Sequence, residues 1–305
     1  LQIRIHSAPA AIAILGITGW LIAKERTRAV LLLQLCMNGV NIVLDFFFVL
    51  KLGWGVEGVA IATLIAEWSG LVLGLWIVRD VINEIDWKNW IQIFDRVRLW
   101  RMAAVNRDIM IRSILLQAGI VIFMFLGSSF DNAILAANQV LLQLINITTY
   151  ALDGFAFSAE TLVGQALGAK NRGLLRRSVV ITSQWGVTLV ILMAASFFVF
   201  GDLFIHTMTT AQDVRMVCYE YLPWIVIVPL VGVAAWMLDG VFIGATRTGD
   251  MRNMMFVSFS IYLVALVLLL PSFGNHGLWA AMIIFYIVRG VTLGFKYPHI
   301  ESSAD

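Results

Sequence analysis

Long apolar runs separated by short polar breaks extend along the whole chain. Each run is long enough to cross a hydrocarbon core of about 30 Å as an α-helix. Helices are expected because a backbone with unpaired polar groups is not tolerated in lipid. The pattern predicts an all-α integral membrane protein with nine transmembrane helices, at residues 7–23, 29–50, 55–78, 109–126, 133–168, 178–200, 219–245, 254–270 and 277–295.

The composition and the distribution of charge agree with this topology. Hydrophobic residues make up 60% and charged residues 13% of the 305 residues, which leaves too little polar surface to coat a soluble protein. Seventeen of the 21 lysines and arginines fall in loops or at span ends on one side of the predicted membrane topology, and three fall on the other side. The largest cluster lies between Arg79 and Arg112. Because positively charged loops stay in the cytoplasm, the C-terminus is predicted to be cytoplasmic.

An internal repeat divides the chain. A proline, a span, a basic loop, a second span and a third span with regularly spaced glycines occur in this order near both ends, with the loops "KERTR" and "TRTGDMR" in equivalent places. The sequence predicts a partial N-terminal lobe of three spans at 1–78, an amphipathic cytoplasmic connector at 79–108, a C-terminal lobe of six spans at 109–296 and a cytoplasmic tail at 297–305. Since the first lobe is three spans shorter, we expect a truncation, with three helices preceding Leu1.

Polar residues follow one face of two predicted spans. In the second span they are spaced 0, 4, 7 and 11 residues from the first, at Gln34, Asn38, Asn41 and Asp45. The fifth span repeats this spacing from Gln139 and continues into two carboxylates, with polar residues at Gln143, Asn146, Tyr150, Asp153 and Glu160. Both helices are therefore predicted to carry a continuous polar stripe through an apolar environment.

Two interpretations of the stripes are open. A hydrogen bond between helices contributes about 1 kcal/mol, so packing is the simpler explanation for a single Asn or Gln. A charged carboxylate near the middle of a span costs about 2.5 to 3.5 kcal/mol, which favours a functional role for Asp45 and Asp153. Glu160 lies nearer the cytoplasmic end of its span, where a solvated position is an alternative.

Asp239 and the histidines help to distinguish a transporter from an intramembrane enzyme or a scaffold. Asp239 lies shortly before the loop that holds Arg247, and either a structural ion pair there or transport chemistry would explain it. The sequence has no Gly-x-Gly-Asp pair and no His-Glu-x-x-His motif, and its four histidines lie at or near span ends. An intramembrane enzyme is therefore not expected, nor a cofactor or a bound metal. A non-transporting scaffold fragment would not need carboxylates within the membrane.

Several segments together carry a resemblance to a known family. They are "NGVNIVLDFFFV", "GVEGVAIATLIAEW", "NRDIMIRSILL", "DGFAFSAETLVGQALGAKNRG" and "DGVFIGATRTGDMRN". As a set they resemble the multidrug and toxic compound extrusion (MATE) family, in particular its DNA-damage-inducible protein F branch. The resemblance implies a MATE-type two-lobe bundle of twelve helices, of which this chain is similar to helices four to twelve.

The resemblance also implies secondary active multidrug efflux in a bacterial inner membrane. A small organic cation or amphipathic drug would leave the cytoplasm while H⁺ or Na⁺ enters, and the lipid bilayer, but not nucleic acid, would be a partner. The implied coupling residues are Asn41, Asp45 and Thr63. The cavity or substrate candidates are Gln34, Asn38, Gln143, Asn146, Tyr150, Asp153, Glu160 and Asp239.

The family pattern is incomplete in the second lobe. Asp239 matches one carboxylate of the cation site that some branches have there, but helix seven carries no carboxylate, and Gln117 is the nearest polar residue. This departure favours proton coupling in the first lobe. A lipid-linked oligosaccharide flippase of the same superfamily is the alternative, but it would need several arginines in its cavity, and only Arg289 lies deep within a predicted span.

Overall fold

The computed structural model describes residues 2–80 and 94–304. In this part of the chain the secondary structure is helical throughout, without β-strands. In chain order the α-helices, numbered α1 to α9, are Gln2–Ile5, Ala8–Ala23, Thr27–Asp45, Gly55–Ile77, Arg96–Gly127, Asn132–Gly168, Arg172–Met208, Gln212–Gly244 and Thr248–Glu301. A π-helical segment, Phe46–Lys51, extends α3, and a 3₁₀ turn, Ser302–Ala304, follows α9.

The helices confirm the predicted membrane-spanning bundle. Seven of the described helices are long and apolar enough to cross a membrane, and Ala8–Ala23 is a shorter apolar helix of 16 residues. Helix α9 has 54 residues, but its backbone leaves helical geometry at Gly274, where φ is 54°. A Cβ on Gly277 would overlap the carbonyl oxygen of Leu269, so the chain doubles back there and α9 supplies two spans. These elements together correspond to the nine predicted spans.

The first compact unit comprises Leu1–Asp95. Its helix α4 buries a small residue at every fourth position, at Gly58, Ala62, Ala66, Gly70 and Gly74. Small side chains let neighbouring helices approach closely, which is the usual way that membrane helices pack. A Cβ on Gly70 would lie 3.1 Å from the sulfur of Met37 on α3, and a Cβ on Gly74 would lie 3.1 Å from Ile17 on α2.

The second compact unit comprises Arg96–Asp305 and is organised around α8, the most buried of its helices. Helix α8 packs most tightly on α6, where a Cβ on Gly240 would overlap the carbonyl oxygen of Ala156 and a Cβ on Gly244 that of Glu160. The offset between partners is the same at both contacts, so α6 and α8 run parallel. This register sets which side chains of the two helices lie at the same level.

The first span of the second unit begins earlier than the sequence predicts. Helix α5 starts at Arg96, so residues 96–108 of the predicted connector are the first turns of that span. The connector's residues 81–93 lie outside the described part of the chain. The division into lobes, connector and tail stays a prediction.

Three turns on the predicted cytoplasmic side have the same backbone conformation. Glu25, Lys170 and Thr246 each follow the end of a helix with a positive φ, of 56°, 48° and 53°. In each turn the next backbone N–H donates to the carbonyl five residues earlier, at 2.9, 3.0 and 3.0 Å. This is the Schellman arrangement, in which the left-handed position is usually glycine. The loops "KERTR" and "TRTGDMR" of the predicted repeat therefore begin with the same turn.

Candidate functional site

The first unit brings Asn41 and Thr63 together. The Asn41 side-chain amide on α3 donates to the Thr63 hydroxyl on α4 at 3.4 Å. The Thr63 hydroxyl in turn donates to the backbone carbonyl of Val59 at 2.9 Å. Because the single hydroxyl proton is used within α4, Thr63 is held as an acceptor for Asn41. These two predicted coupling residues therefore form a polar bridge between the two helices.

Asp45 lies one helical turn beyond Asn41, at the last α-helical position before the π-helical segment. Its Oδ1 atom is buried, and no residue within 2–80 or 94–304 forms a hydrogen bond to it. A buried carboxylate oxygen without a partner costs free energy, and such atoms call for an explanation in a native structure. Wide π-type turns are frequent at functional sites. The Asp45 carboxylate therefore keeps one oxygen without a partner among the described residues.

Glu67 adds a second carboxylate to this side of the first unit. It lies one turn beyond Thr63 on α4, and its Oε1 atom accepts from the Arg4 guanidinium at 3.2 Å. Its Oε2 atom is buried without a hydrogen bond from the described residues. Of the other predicted stripe residues in this unit, Gln34 is partly buried and Asn38 is exposed. Glu67 was not among the predicted site residues, although its place beside Thr63 follows from helical spacing.

The polar stripe of α6 lies on an open face of the second unit. Gln143, Asn146 and Tyr150 are exposed, and the Asn146 amide donates to the Gln143 side chain at 3.4 Å. Tyr150 has 69% of its surface exposed. Asp153 and Glu160, further along the stripe, are partly buried. The exposed members do not pack against other helices of this unit, so interhelical packing within the unit does not explain them.

Asp239 lies in the interior of the second unit, only 7% exposed. Its Oδ2 atom accepts from the guanidinium groups of Arg112 on α5 and Arg289 on α9. The pairing with Arg247 considered from the sequence is therefore wrong, because both partners come from other helices. Asp239 Oδ1 is buried without a hydrogen bond from the described residues.

The two arginines differ in their surroundings. Arg289 is 1% exposed, and its Nε and Nη1 atoms have no hydrogen-bond acceptor among the described residues. The Arg112 side chain is 15% exposed and also interacts electrostatically with Asp153. The sequence pattern places Arg112 with the cytoplasmic basic cluster and indicates no partner for Arg289. Only the position of Arg289 deep within a predicted span signalled that it needed one.

A second ion cluster lies one turn before Arg112 on α5. Asp108 is 8% exposed and accepts from Arg252 at 2.6 Å and from Arg107 at 3.2 Å. This cluster joins α5 to the start of α9. Within residues 2–80 and 94–304, no three His, Cys, Asp or Glu side chains lie close enough together to hold a metal ion.

Comparison with known proteins identifies the family. The family model described as MatE matches residues 109–269, which is more than half of the chain. The chain belongs to the MatE family. This membership confirms the resemblance noted from the sequence motifs and makes the chain part of a family of multi-pass membrane transporters.

Individual relatives support the assignment of this MatE chain. It is 38% identical over 299 residues to the DNA damage-inducible protein F of Escherichia coli K12, an alignment that covers 96% of this chain and 64% of the relative. It is 25% identical over 273 residues to human multidrug and toxin extrusion protein 1, covering 85% of this chain and 46% of that protein. The chain thus spans less than two thirds of the length of either relative.

The fold agrees with solved MATE structures. A crystal structure of a mutant of the Vibrio cholerae MATE transporter VcmN superposes with a TM-score of 0.87, at 21% identity, over 98% of this chain and 68% of that one. At this level of identity the likeness concerns the fold of the MatE chain.

Proposed function

We propose that this MatE chain forms part of a secondary active exporter that moves organic cations or amphipathic drugs out of the cytoplasm in exchange for protons. The observation that carries the proposal is the Asp45 carboxylate, whose buried oxygen has no hydrogen bond from the described residues. Burial raises the cost of a charge, and a neighbouring cation lowers it. A carboxylate in this environment can exchange a proton for another interaction.

The neighbours of Asp45 support a role in proton coupling. Asn41 lies one turn before it on α3 and is held by its hydrogen bond to Thr63. Neutral amide and hydroxyl groups provide polar contacts and carry no charge of their own. In this proposal Asp45 carries the proton, and Asn41 and Thr63 form the polar bridge that links its helix to α4.

The surroundings of Asp239 favour protons over sodium as the coupling ion. Arg112 and Arg289 already contact one oxygen of this carboxylate. Both guanidinium groups donate to the Oδ2 atom, so a sodium ion could bind that oxygen only by displacing them. Sodium antiport through Asp239 is therefore the less favoured form of the proposal.

The same cluster bears on the flippase alternative. A site for a pyrophosphate-linked lipid needs arginines whose guanidinium groups are free to bind phosphate. The second unit does contain the buried Arg289 and the partly buried Arg112, but both donate to Asp239. Their pairing with a carboxylate favours a structural or tuning role over lipid phosphate binding, and organic cations remain the preferred substrates.

The proposed location is the bacterial inner membrane, with the C-terminus in the cytoplasm. The similarity to the Escherichia coli relative supports a bacterial membrane, and the concentration of Lys and Arg in alternate loops supports the orientation.

Proton-driven efflux of a rhodamine dye from everted membrane vesicles would test this function. Asp45→Asn should leave expression and folding intact but abolish efflux driven by a pH gradient, because an amide cannot carry the proton. Asp80→Asn is the matched control, since the Asp80 side chain is 77% exposed and pairs only with its neighbour Arg79 at 3.6 Å among the described contacts. Full gradient-driven efflux by the Asp45 variant would contradict the proposal.

A further inference from the structure

The charge of the Asp239 cluster does not balance. One carboxylate faces two guanidinium groups, and both Asp239 and Arg289 are almost completely buried. An uncompensated buried charge is costly, and a buried ion cluster is tolerated only when each charge has a counterpart. The second guanidinium therefore requires another source of negative charge.

The packing of α6 on α8 provides that source. Gly240 lies against the backbone of Ala156 and Gly244 against that of Glu160, so residue 239 is level with residue 155 of the parallel helix α6. Asp153 lies within one turn of that level. Its carboxylate interacts electrostatically with the Arg112 guanidinium, in agreement with this register. Asp153, Arg112, Asp239 and Arg289 thus form a neutral cluster contributed by four helices.

The two carboxylates of the cluster face different environments. Asp239 is buried, whereas Asp153 is partly exposed and continues the open stripe of Gln143, Asn146 and Tyr150. Arg112 connects them, because it donates to Asp239 and its positive charge also acts on the Asp153 carboxylate. The positive charge of Arg112 consequently reduces the affinity of the polar stripe for cations.

We propose that Arg112 determines the cation affinity of the second unit's polar stripe, as a built-in counter-cation with which a cationic substrate competes at Asp153. This inference rests on the proposed function, since it assumes that the stripe receives organic cations. Asp239 holds Arg112 in place by accepting its hydrogen bond. Arg112 is thereby a specificity-determining residue: it weakens the binding of every cation by a similar amount and leaves neutral amphipathic compounds unaffected.

Substitution of Arg112 can be tested without leaving a buried charge unpaired. In Arg112→Gln, Asp239 keeps Arg289, so the remaining pair is neutral. Arg112→Lys keeps the positive charge and serves as the conservative variant. Arg107→Gln is the matched control, because Arg107 lies on the same helix and also shares a carboxylate, that of Asp108, with a second arginine. In this variant Asp108 would keep its hydrogen bond from Arg252.

The experiment measures equilibrium binding of tetraphenylphosphonium and of a neutral amphipathic dye to the purified protein in detergent, with thermal unfolding of each variant recorded in parallel. Arg112→Gln should bind tetraphenylphosphonium about fivefold more tightly, the size of one partly solvated ion pair. Arg112→Lys and Arg107→Gln should bind it like the unaltered protein. The neutral dye should bind equally to all variants.

A double substitution tests whether the gain in cation binding depends on Asp153 or comes from a general change in the protein. When Asp153→Asn is added to Arg112→Gln, the fivefold gain should disappear, because the carboxylate that attracts the cation has been removed. A gain that persists without Asp153, or no gain in a folded Arg112→Gln protein, overturns the inference. If cation efflux driven by protons is nevertheless intact in the unaltered protein, the proposed function stands while the role of Arg112 is rejected.

Discussion

Asn138 and Asn275 exchange both of their side-chain hydrogen bonds. The amide of Asn138 on α6 donates to Asn275 at 2.8 Å, and the amide of Asn275 on α9 donates back at 3.1 Å. The indole N–H of Trp279 adds a third hydrogen bond to the same Asn138 oxygen at 3.0 Å. Asn138 and Trp279 are fully buried, so this cluster fixes α6 against the part of α9 that follows Gly274.

Asn138→Ala should therefore destabilise the second unit. The substitution leaves the Asn275 amide and the Trp279 N–H buried without partners, at about 1 to 3 kcal/mol for each unsatisfied group. We expect a clear drop in the thermal unfolding midpoint in detergent. Asn146→Ala is the matched control on the same helix, because Asn146 is exposed and its loss should hardly change the midpoint. Equal midpoints for the two variants would show that the amide pair is dispensable.

Gly240→Ala should weaken the packing of α6 against α8. A Cβ at this position would overlap the backbone of Ala156, which cannot move away as a flexible side chain could. Overpacking of this kind costs about 1 to 3 kcal/mol. Gly154→Ala provides the control, since a Cβ there meets no atom within 4 Å and alanine favours a helix. The first variant should unfold at a lower temperature than the parent and the second at the same or a higher one.

Thr246→Gly should stabilise the protein. Thr246 holds a φ of 53° in the turn between α8 and α9, a conformation that is unfavourable for a β-branched residue. Removing the side chain relieves a strain of about 1 to 2 kcal/mol. Part of this gain is offset because glycine increases the conformational entropy of the unfolded chain. Thr209→Gly is the control, because Thr209 has an extended backbone with φ of −144°. A rise in unfolding temperature for Thr246→Gly alone is the expected result.

Removal of charge from Glu160 should affect cationic substrates more than neutral ones. Glu160 is partly buried on α6, and its side chain lies on the same helix as the open stripe. A carboxylate attracts cations over a distance of several ångströms, and a neutral compound does not experience this attraction. We expect Glu160→Gln to weaken rhodamine binding about threefold, within the range of a partly solvated ion pair. Asp213→Asn, at the exposed start of α8, should change neither class of substrate; equal losses for cationic and neutral compounds in Glu160→Gln would indicate a structural role.

The sequence by itself determined the features that depend on neighbouring residues along the chain. Hydropathy gave the spans, because crossing lipid requires a minimum length of apolar helix. Helical spacing placed Asn41 and Asp45 one turn apart on α3, and their relation to Thr63 came from the family resemblance rather than from spacing. The start of α5 at Arg96 was missed, since a basic amphipathic stretch carries no signal that separates a surface connector from the first turns of a span.

Only the tertiary structure decided which distant side chains pair. Asp239 contacts Arg112, which is 127 residues away, and Arg289, which is 50 residues away, rather than the nearby Arg247. Asn138 likewise finds its partner 137 residues away. Every buried polar group in a membrane span needs a partner, so the sequence could show that these residues required one. The identity of the partner depends on which helices pack together and on their register along the membrane normal. Contacts such as the one between Gly240 and Ala156 set this register, because the absence of a side chain on Gly240 lets the two backbones meet.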